Sequence, residues 1–259
     1  MRSPRPEVPL SSAATTDDAV LGGRLKLLQP VDGHRAGHDA ILLAAAAPAA
    51  KHAIDLGAGI GTAGLALLAR GVAERVTLVE IDPKLAELAR ANAIRNGYAG
   101  RAEIVVADIR KIARGKGPAA LAAAAGLVIA NPPFNDPGRR NVSPDAGRRR
   151  AHAAADSELD PWFAAADGAL AAGGRLVLIH RPEAIEPILA LLAGRFGATE
   201  LIPIFPRAAA AAIRVIVRAI KGRRTPPSLR PGLVLNDADG RPTAAAEAIL
   251  RDAAPLDPA

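Results

Sequence analysis

The chain of 259 residues contains no cysteine. That excludes disulfide cross-links, thiolate nucleophiles and cysteine-ligated metal centres, and it suits a reducing compartment. Aromatic residues make up only 2% of the sequence, with one Trp, one Tyr and four Phe, so little ring surface exists for stacking on nucleotide bases. No uninterrupted apolar run reaches the roughly 18–20 residues of a membrane span. Pro48, Lys51 and His52 end the best candidate after Leu43. The opening segment Met1–Ala14 carries three prolines and two arginines and lacks the continuous apolar stretch of a secretory leader. Residues 1–16 therefore read as a disordered tail, the cytoplasm as the expected location, and no membrane partner is expected.

Hydrophobic residues reach 50% of the chain, but much of this is alanine in runs such as Ala44–Ala47 and Ala208–Ala212. Alanine adds helix propensity more than core volume. The length supports one sizeable core with small extensions. A net charge of +7 favours polyanionic partners through long-range steering. The joint abundance of arginine, alanine, glycine and proline is also what a GC-rich genome produces without selection for binding, so the placement of the arginines must decide.

Leu21-Gly22-Gly23-Arg24 reads as a turn into a short strand over Leu25–Gln29, ended by Pro30. Asp39 stands where an N-cap or first-turn acid belongs, ahead of a helix over Ala40–Ala47. After Pro48 strands and helices alternate. Strands are expected at His52–Leu56, Val76–Ile81, Ile104–Ala107, Leu127–Ala130 and Arg175–His180, and helices at Ala63–Arg70, Pro83–Asn96, Ala119–Ala125, Pro161–Ala171 and Glu183–Arg195. Such alternation predicts a parallel sheet covered on both faces. Two strands, Glu200–Phe205 and Ile213–Ile220, separated by an alanine-rich loop, suit an antiparallel pair at one sheet edge. A strand at Leu233–Asn236 and a helix over Thr243–Asp252 form a terminal unit. The expected division is a segment over 17–50, a core over 51–222 and a C-terminal extension over 223–259.

Asp55-Leu56-Gly57-Ala58-Gly59-Ile60-Gly61 lies between a strand and a helix, where glycine permits a tight turn and close approach of a ligand to the backbone. Glu80 ends the second strand about 20 residues further on, placed to accept hydrogen bonds from both hydroxyls of a ribose. Asp108 ends the third strand, placed to bind the exocyclic amine of an adenine. Either acid alone also suits a solvated strand end or a helix cap. A dinucleotide enzyme would set its pyrophosphate on the helix N-terminus. Asp55, two residues before the first glycine, resembles instead the acid of class I methyltransferases that helps hold the methionine end of S-adenosylmethionine.

Asn131-Pro132-Pro133-Phe134 follows the strand Leu127–Ala130 and is the most specific signal in the chain. An exocyclic amine conjugated to a ring or carbonyl is a poor nucleophile because its lone pair is delocalised. The Asn131 side-chain oxygen and the Pro132 carbonyl can bind its hydrogens and aim the lone pair, the prolines hold these acceptors in place, and Phe134 can stack on the target plane. Two prolines also stop a strand, and Phe134 also suits a core.

With Leu21–Leu25, Gly37–Leu43, Val79–Pro83 and Asn131–Pro137, the chain resembles, over about Asp17–Asp252, the bacterial tRNA (adenine-N6)-methyltransferases that modify the adenine beside the anticodon of a valine tRNA. That resemblance implies a Rossmann-like, seven-stranded class I methyltransferase sheet with helices on both faces and an antiparallel edge. It also implies S-adenosylmethionine as cofactor and tRNA, or another RNA, as partner. Asn131, Pro132, Pro133 and Phe134 are then the catalytic residues. Asp55, Gly57, Gly59, Gly61, Glu80, Ile81, Asp108 and Ile109, together with Asn131, line the cofactor site, and Gln29 and Asp39 belong to an N-terminal segment that closes over it.

Behind Phe134, the polar segment Asn135–Ser157 carries Arg139, Arg140, Arg148, Arg149 and Arg150, placed to hold phosphates while an adenine is splayed into the pocket. The alternative is a solvated basic loop. His34, His38 and His180 show no metal-ligand spacing, so no metal is expected and they read as structural. Trp162 and Phe163 read as core. Three rival readings remain: methylation of an exocyclic amine in ribosomal RNA, methylation of a glutamine amide in a protein, and a non-catalytic RNA-binding relative. The amide enzymes carry a helical N-terminal domain, whereas about fifty residues precede the first sheet strand here.

Overall fold

An antiparallel hairpin, β1 (Thr15–Val20) and β2 (Leu25–Pro30), comes first, followed by helix α1 (His38–Ala45). The computed structural model describes residues 15–31, 37–134 and 158–256. Strand β3 (Ala50–Leu56) then leads to α2 (Thr62–Ala69), β4 (Ala73–Glu80) to α3 (Pro83–Arg95), and β5 (Ala102–Val106) to α4 (Ile109–Ala113). After β6 (Ala125–Ala130) come α5 (158–169), β7 (Leu170–His180), α6 (Ile185–Leu192), β8 (Phe196–Phe205) and β9 (Arg214–Lys221). Two short strands, β10 (Ser228–Leu229) and β11 (Leu233–Val234), and helix α7 (Ala244–Leu250) end the described chain.

Strands β3 to β11 form one sheet. Its long strands lie in the order β5-β4-β3-β6-β7-β9-β8, and β10 and β11 both pair with β8. Strand β9 runs antiparallel to its two neighbours, while every other pairing in the sheet is parallel. The order reverses between β3 and β6, the switch point at which open α/β sheets hold ligands beyond their carboxyl ends.

Alternation of side chains along the strands builds two cores. Ala53, Leu127, Ile129, Val177 and Ile179 face one cluster, which holds Leu42 and Leu43 of α1, Leu65 of α2, Ala89 of α3 and the hairpin's Leu25 and Leu27. Ile54, Val128, Ala130, Leu176 and Leu178 face the other, with Phe163 of α5 and Ile188 of α6. Strands buried on both faces explain their near-continuous apolar runs.

Helix starts follow local chemistry. Asp82 caps α3 by accepting the Lys84 N–H at 2.8 Å, with Pro83 in the first turn. Thr243 caps α7 by accepting the Ala246 N–H at 3.1 Å. The hairpin is fastened to α3 by two asparagines one helical turn apart. Fully buried Asn92 accepts the Leu28 N–H at 2.7 Å and donates to the Leu28 and Ile60 carbonyls, both at 3.1 Å. Asn96 treats Lys26 in the same way, accepting its N–H at 2.9 Å and donating to its carbonyl at 2.7 Å. The two amides thus give β2 the backbone partners that a further strand would supply.

Several expectations shift. Thr15 and Thr16, assigned to a disordered tail, open β1, because the hairpin gives their backbone a ladder partner. Ala119–Ala125, expected as a helix, is a single 3₁₀ turn at Ala119–Leu121, a further turn over 122–123 and, after Ala124, the first residue of β6. Alanine propensity yields there to the pairing of β6 with β3 and β7. The helix expected over Pro161–Ala171 lies at 158–169, and β7 begins at Leu170. The antiparallel pair forms as expected, with β9 inserted between β7 and β8 and the flank completed by β10 and β11. Residues of the C-terminal extension therefore take part in the main sheet. Arg70 clamps that extension by donating to the Ile249 and Ala254 carbonyls at 2.6 and 2.9 Å.

Asn92→Ala leaves three backbone groups without their partner and is expected to cost about 2–4 kcal/mol in urea unfolding, against roughly 1 kcal/mol for Asn96→Ala at its half-buried site. Equal losses for the two variants would contradict the assigned difference in burial.

Candidate active site

Register sets the site. Leu56 pairs with Ala130 at the ends of β3 and β6, so the glycine loop and the Asn131 loop leave the sheet side by side. Gly57, Gly59 and Gly61 have φ of 68°, 57° and 89°, left-handed values that glycine adopts without strain. Gly57 has a second constraint: a Cβ there would sit 2.5 Å from the Trp162 ring of α5. At Gly59 a Cβ would meet open space.

The acids stand at successive strand ends. The Glu80 carboxylate accepts the Gly59 N–H at 2.7 Å through Oε2, and the Ile81 and Asp82 N–H groups at 2.8 and 2.9 Å through Oε1. With about four lone-pair sites on a carboxylate, one remains on Oε2. A ribose hydroxyl can donate there directly, and a second must displace the Gly59 amide. Asp108 caps α4 by accepting the Arg110 N–H at 2.8 Å, so the helix-cap reading holds for one of its oxygens. Ile81 beside Glu80 is 62% exposed, an apolar side chain left uncovered at the rim, and Ile109 is half-buried on the adjoining turn.

Asp55 is buried and accepts the Gly64 N–H at 2.9 Å. Burial pushes its carboxyl from the ordinary carboxylate range up to about 7; the Gly64 hydrogen bond opposes the shift and the Glu80 charge adds to it.

At the second loop Asn131 Oδ1 is buried and has no hydrogen-bond partner among the described residues. A buried amide oxygen left in this state forfeits stability unless a ligand donates to it. The Phe134 ring meets His180 edge-on at 4.9 Å between centroids, and the guanidinium carbons of Arg214 and Arg181 lie 4.8 and 5.7 Å from its centroid. His180 is buried, with Nδ1 unpartnered among the described residues. Burial lowers its pKa; a backbone hydrogen bond at Arg181 opposes this, the Arg181 and Arg214 charges reinforce it, and Glu183 opposes it, so the ring is held neutral.

The sequence-assigned residues Asp55, Gly57, Gly59, Gly61, Glu80, Asp108 and Asn131–Phe134 thus converge on the carboxyl ends of β3 to β6. The Asp39 carboxylate pairs with Arg214 Nε at 2.8 Å, and that guanidinium lies over the Phe134 ring. Gln29 is buried in β2, with Nε2 donating to Asp18 at 2.9 Å. Arg139, Arg140, Arg148, Arg149 and Arg150 lie outside the described residues. Sequence reasoning missed Trp162 as the wall behind Gly57 and Arg214 and His180 as neighbours of Phe134. The placement of His180 at the end of a predicted strand, as Asn131 follows another, was the available signal. Among the described residues no three His, Asp or Glu side chains group as metal ligands, and no helix is long and apolar enough to cross a membrane.

A single reversed strand next to the last parallel one, a glycine loop at the switch point and acids on the following strand ends define a class I methyltransferase fold. The family profile described as "methyltransferase small domain" matches residues 36–203, and the chain belongs to that family. A protein of solved structure from Agrobacterium tumefaciens, described as a predicted O-methyltransferase, is 31% identical with a TM-score of 0.66, covering 82% of this chain and 94% of its own. Two curated relatives bear the name tRNA1(Val) (adenine(37)-N6)-methyltransferase. That of Porphyromonas gingivalis is 33% identical over 156 residues, 56% of this chain and 58% of the relative. That of Klebsiella pneumoniae is 40% identical over 103 residues, 39% and 40% of the respective chains. The chain spans about half the length of these curated relatives in the matched regions.

S-adenosylmethionine is the methyl donor of this family, and the residues fit it: open space at Gly59, an uncovered Ile81 and, among the described residues, a lone pair left on Glu80 Oε2 and an amide oxygen of Asn131 without a donor.

The raised Asp55 carboxyl has a sign that can be tested. Stability from its protonated folded form is complete below pH 3.8 and is lost as pH rises through about 7. Urea unfolding of the ligand-free protein at pH 5, 6, 7 and 8 should show a component falling by up to about 1.4 kcal/mol per pH unit below pH 7. Asp55→Asn, which keeps the Gly64 acceptor, should remove that component. His180 works in the opposite sense below pH 6.5, so the difference between wild type and variant is the quantity to read. An unchanged slope would show that Asp55 is already ionised in the folded protein.

Proposed function

We propose that the chain transfers a methyl group from S-adenosylmethionine to N6 of an adenine in RNA, specifically in a tRNA anticodon loop, in the cytoplasm. The observation that carries this reading is the buried Asn131 Oδ1, without a hydrogen-bond partner among the described residues, at the end of β6 beside the glycine loop. When bound, the cofactor supplies an electrophilic methyl on a sulfonium, so the protein need not provide a strong base. The Asn131 oxygen and the Pro132 carbonyl accept the two hydrogens of a planar amine and bring its lone pair out of conjugation. Pro133 limits the backbone freedom of the loop, and Phe134 offers a ring face to the base. A hydroxyl acceptor has one hydrogen and would leave one of these acceptors without a donor, which favours amine over oxygen methylation.

Asp55 would hold the methionine end of the cofactor, Glu80 its ribose and Asp108 the amine of its adenine, with Ile81 and Ile109 flanking that ring. Gly57, Gly59 and Gly61 allow its close approach. We assign 17–50, with Gln29 and Asp39, to a segment over this site, 51–222 to the methyltransferase core and 223–259 to an extension. Arg139, Arg140, Arg148, Arg149 and Arg150 are assigned to phosphate contacts. The names of the curated relatives support tRNA as substrate. The same acceptors suit an exocyclic amine in ribosomal RNA or a glutamine amide, so substrate identity is the point to test.

Incubation of the protein with labelled S-adenosylmethionine and total RNA from cells lacking the gene, followed by digestion to nucleosides, should place label in N6-methyladenosine from tRNA. Label confined to ribosomal RNA or to protein would overturn the tRNA assignment. Asn131→Ala is expected to lower the rate at least about 100-fold, with cofactor affinity within about threefold of wild type. That affinity can be read from the fluorescence of Trp162, the only tryptophan, which packs on Gly57.

A further inference from the structure

Phe134 does not stand alone on its loop. The Arg214 guanidinium lies over its ring at 4.8 Å, and the guanidinium is itself held at two points. Its Nε donates to Asp39 Oδ2 and its Nη1 to the Ile213 carbonyl, both at 2.8 Å. Asp39 lies in the first turn of α1 and Arg214 opens β9, 175 residues away in sequence. The two side chains are only 23% and 26% exposed, so solvent screens their attraction less than it would a surface pair. A planar guanidinium anchored through two N–H groups has a fixed plane, and a cation over a ring face is attracted by the ring's quadrupole. His180 meets the same ring edge-on and limits its tilt.

We propose that Asp39 and Arg214 are positioning residues for methyl transfer: Asp39 holds the plane of Arg214, and Arg214 holds the plane of Phe134. The inference rests on the role given above to Phe134 as the surface on which the target base stacks. A base stacked on a tilted ring carries its amine away from the Asn131 and Pro132 acceptors, and misplacement on the order of 1 Å costs about 100-fold in rate. Asp39 thereby acts on the acceptor side of the reaction.

The test combines a positional readout with kinetics. Protein labelled with 4-fluorophenylalanine at its four phenylalanines gives ¹⁹F signals, among which that of Phe134 is identified by its loss in Phe134→Leu. Arg214→Met, Arg214→Lys and Asp39→Asn should each shift or broaden the Phe134 signal, Arg214→Met the most. On an unmodified valine tRNA transcript, kcat should fall roughly 3- to 30-fold in Arg214→Met and less in Arg214→Lys, which keeps the charge without the plane. KM for the transcript and cofactor affinity by Trp162 fluorescence should change less than about twofold. Arg214→Met should add nothing to Phe134→Ala. An unmoved ¹⁹F signal overturns the proposal, as does a full rate loss that persists in the Phe134→Ala background. A raised RNA KM with unchanged kcat and weaker salt dependence also overturns it, because Arg214 would then be a phosphate ligand. If Arg214→Met does not fold, Arg214→Lys and Asp39→Asn carry the same readouts. If the wild-type protein leaves the transcript unmethylated, the functional reading fails, and the ¹⁹F shifts decide the brace by themselves.

Discussion

Strands β3 and β6, distant in sequence, pair in parallel with Leu56 opposite Ala130, and every functional feature depends on that register. A shift by one residue would turn each strand's side chains to the opposite face and carry Asn131 away from the glycine loop. The register is strongly held because both faces are buried: Ile54 and Val128 enter one core while Ala53, Leu127 and Ile129 enter the other. The same apolar packing that stabilises the sheet therefore sets the separation between the glycine loop and the Asn131 loop.

Around this pair the protein concentrates polar groups whose requirements are only partly met from within. Glu80 keeps one lone pair, Asn131 Oδ1 has no donor among the described residues, and Asp55 is buried with its carboxyl pushed up to about 7. The buried Asn131 oxygen and the buried Asp55 carboxyl cost folding stability that a ligand of matching chemistry would return, which is the usual relation between a binding site and the fold that carries it. The apolar wall behind these groups is equally specific. Trp162 packs where a Gly57 side chain would otherwise lie, so the loop is both free to turn and closed on one side.

The amine reading and the structural neighbour from Agrobacterium, described as a predicted O-methyltransferase, are reconciled at the level of fold. The sheet and glycine loop serve the methyl donor whichever atom accepts the group. In the reading proposed above, the choice of acceptor falls to Asn131–Phe134, whose last ring is contacted by Arg214 and His180.

Much of the fold and the placement of the glycine loop and its neighbouring acids were legible in the sequence because their signals are local. A strand, three glycines and a helix within twenty residues describe one turn, while Glu80 ends and Asp108 closely follows strands that their own β-branched runs announce. Asp82 and Thr243 cap helices through neighbours two and three residues away. The rest was decided by tertiary structure. Asn92 reaches Leu28 across 64 residues of chain, and Arg214 reaches Asp39 across 175. Those contacts exist only because β9 inserts between β7 and β8 and because the hairpin lies along α3. Strand order and hairpin docking are set by the burial of whole faces, a sum over many weak contacts that no short stretch of sequence encodes. Asp39 shows the consequence: its place in the first turn of α1 was readable, while its partner was chosen by the sheet.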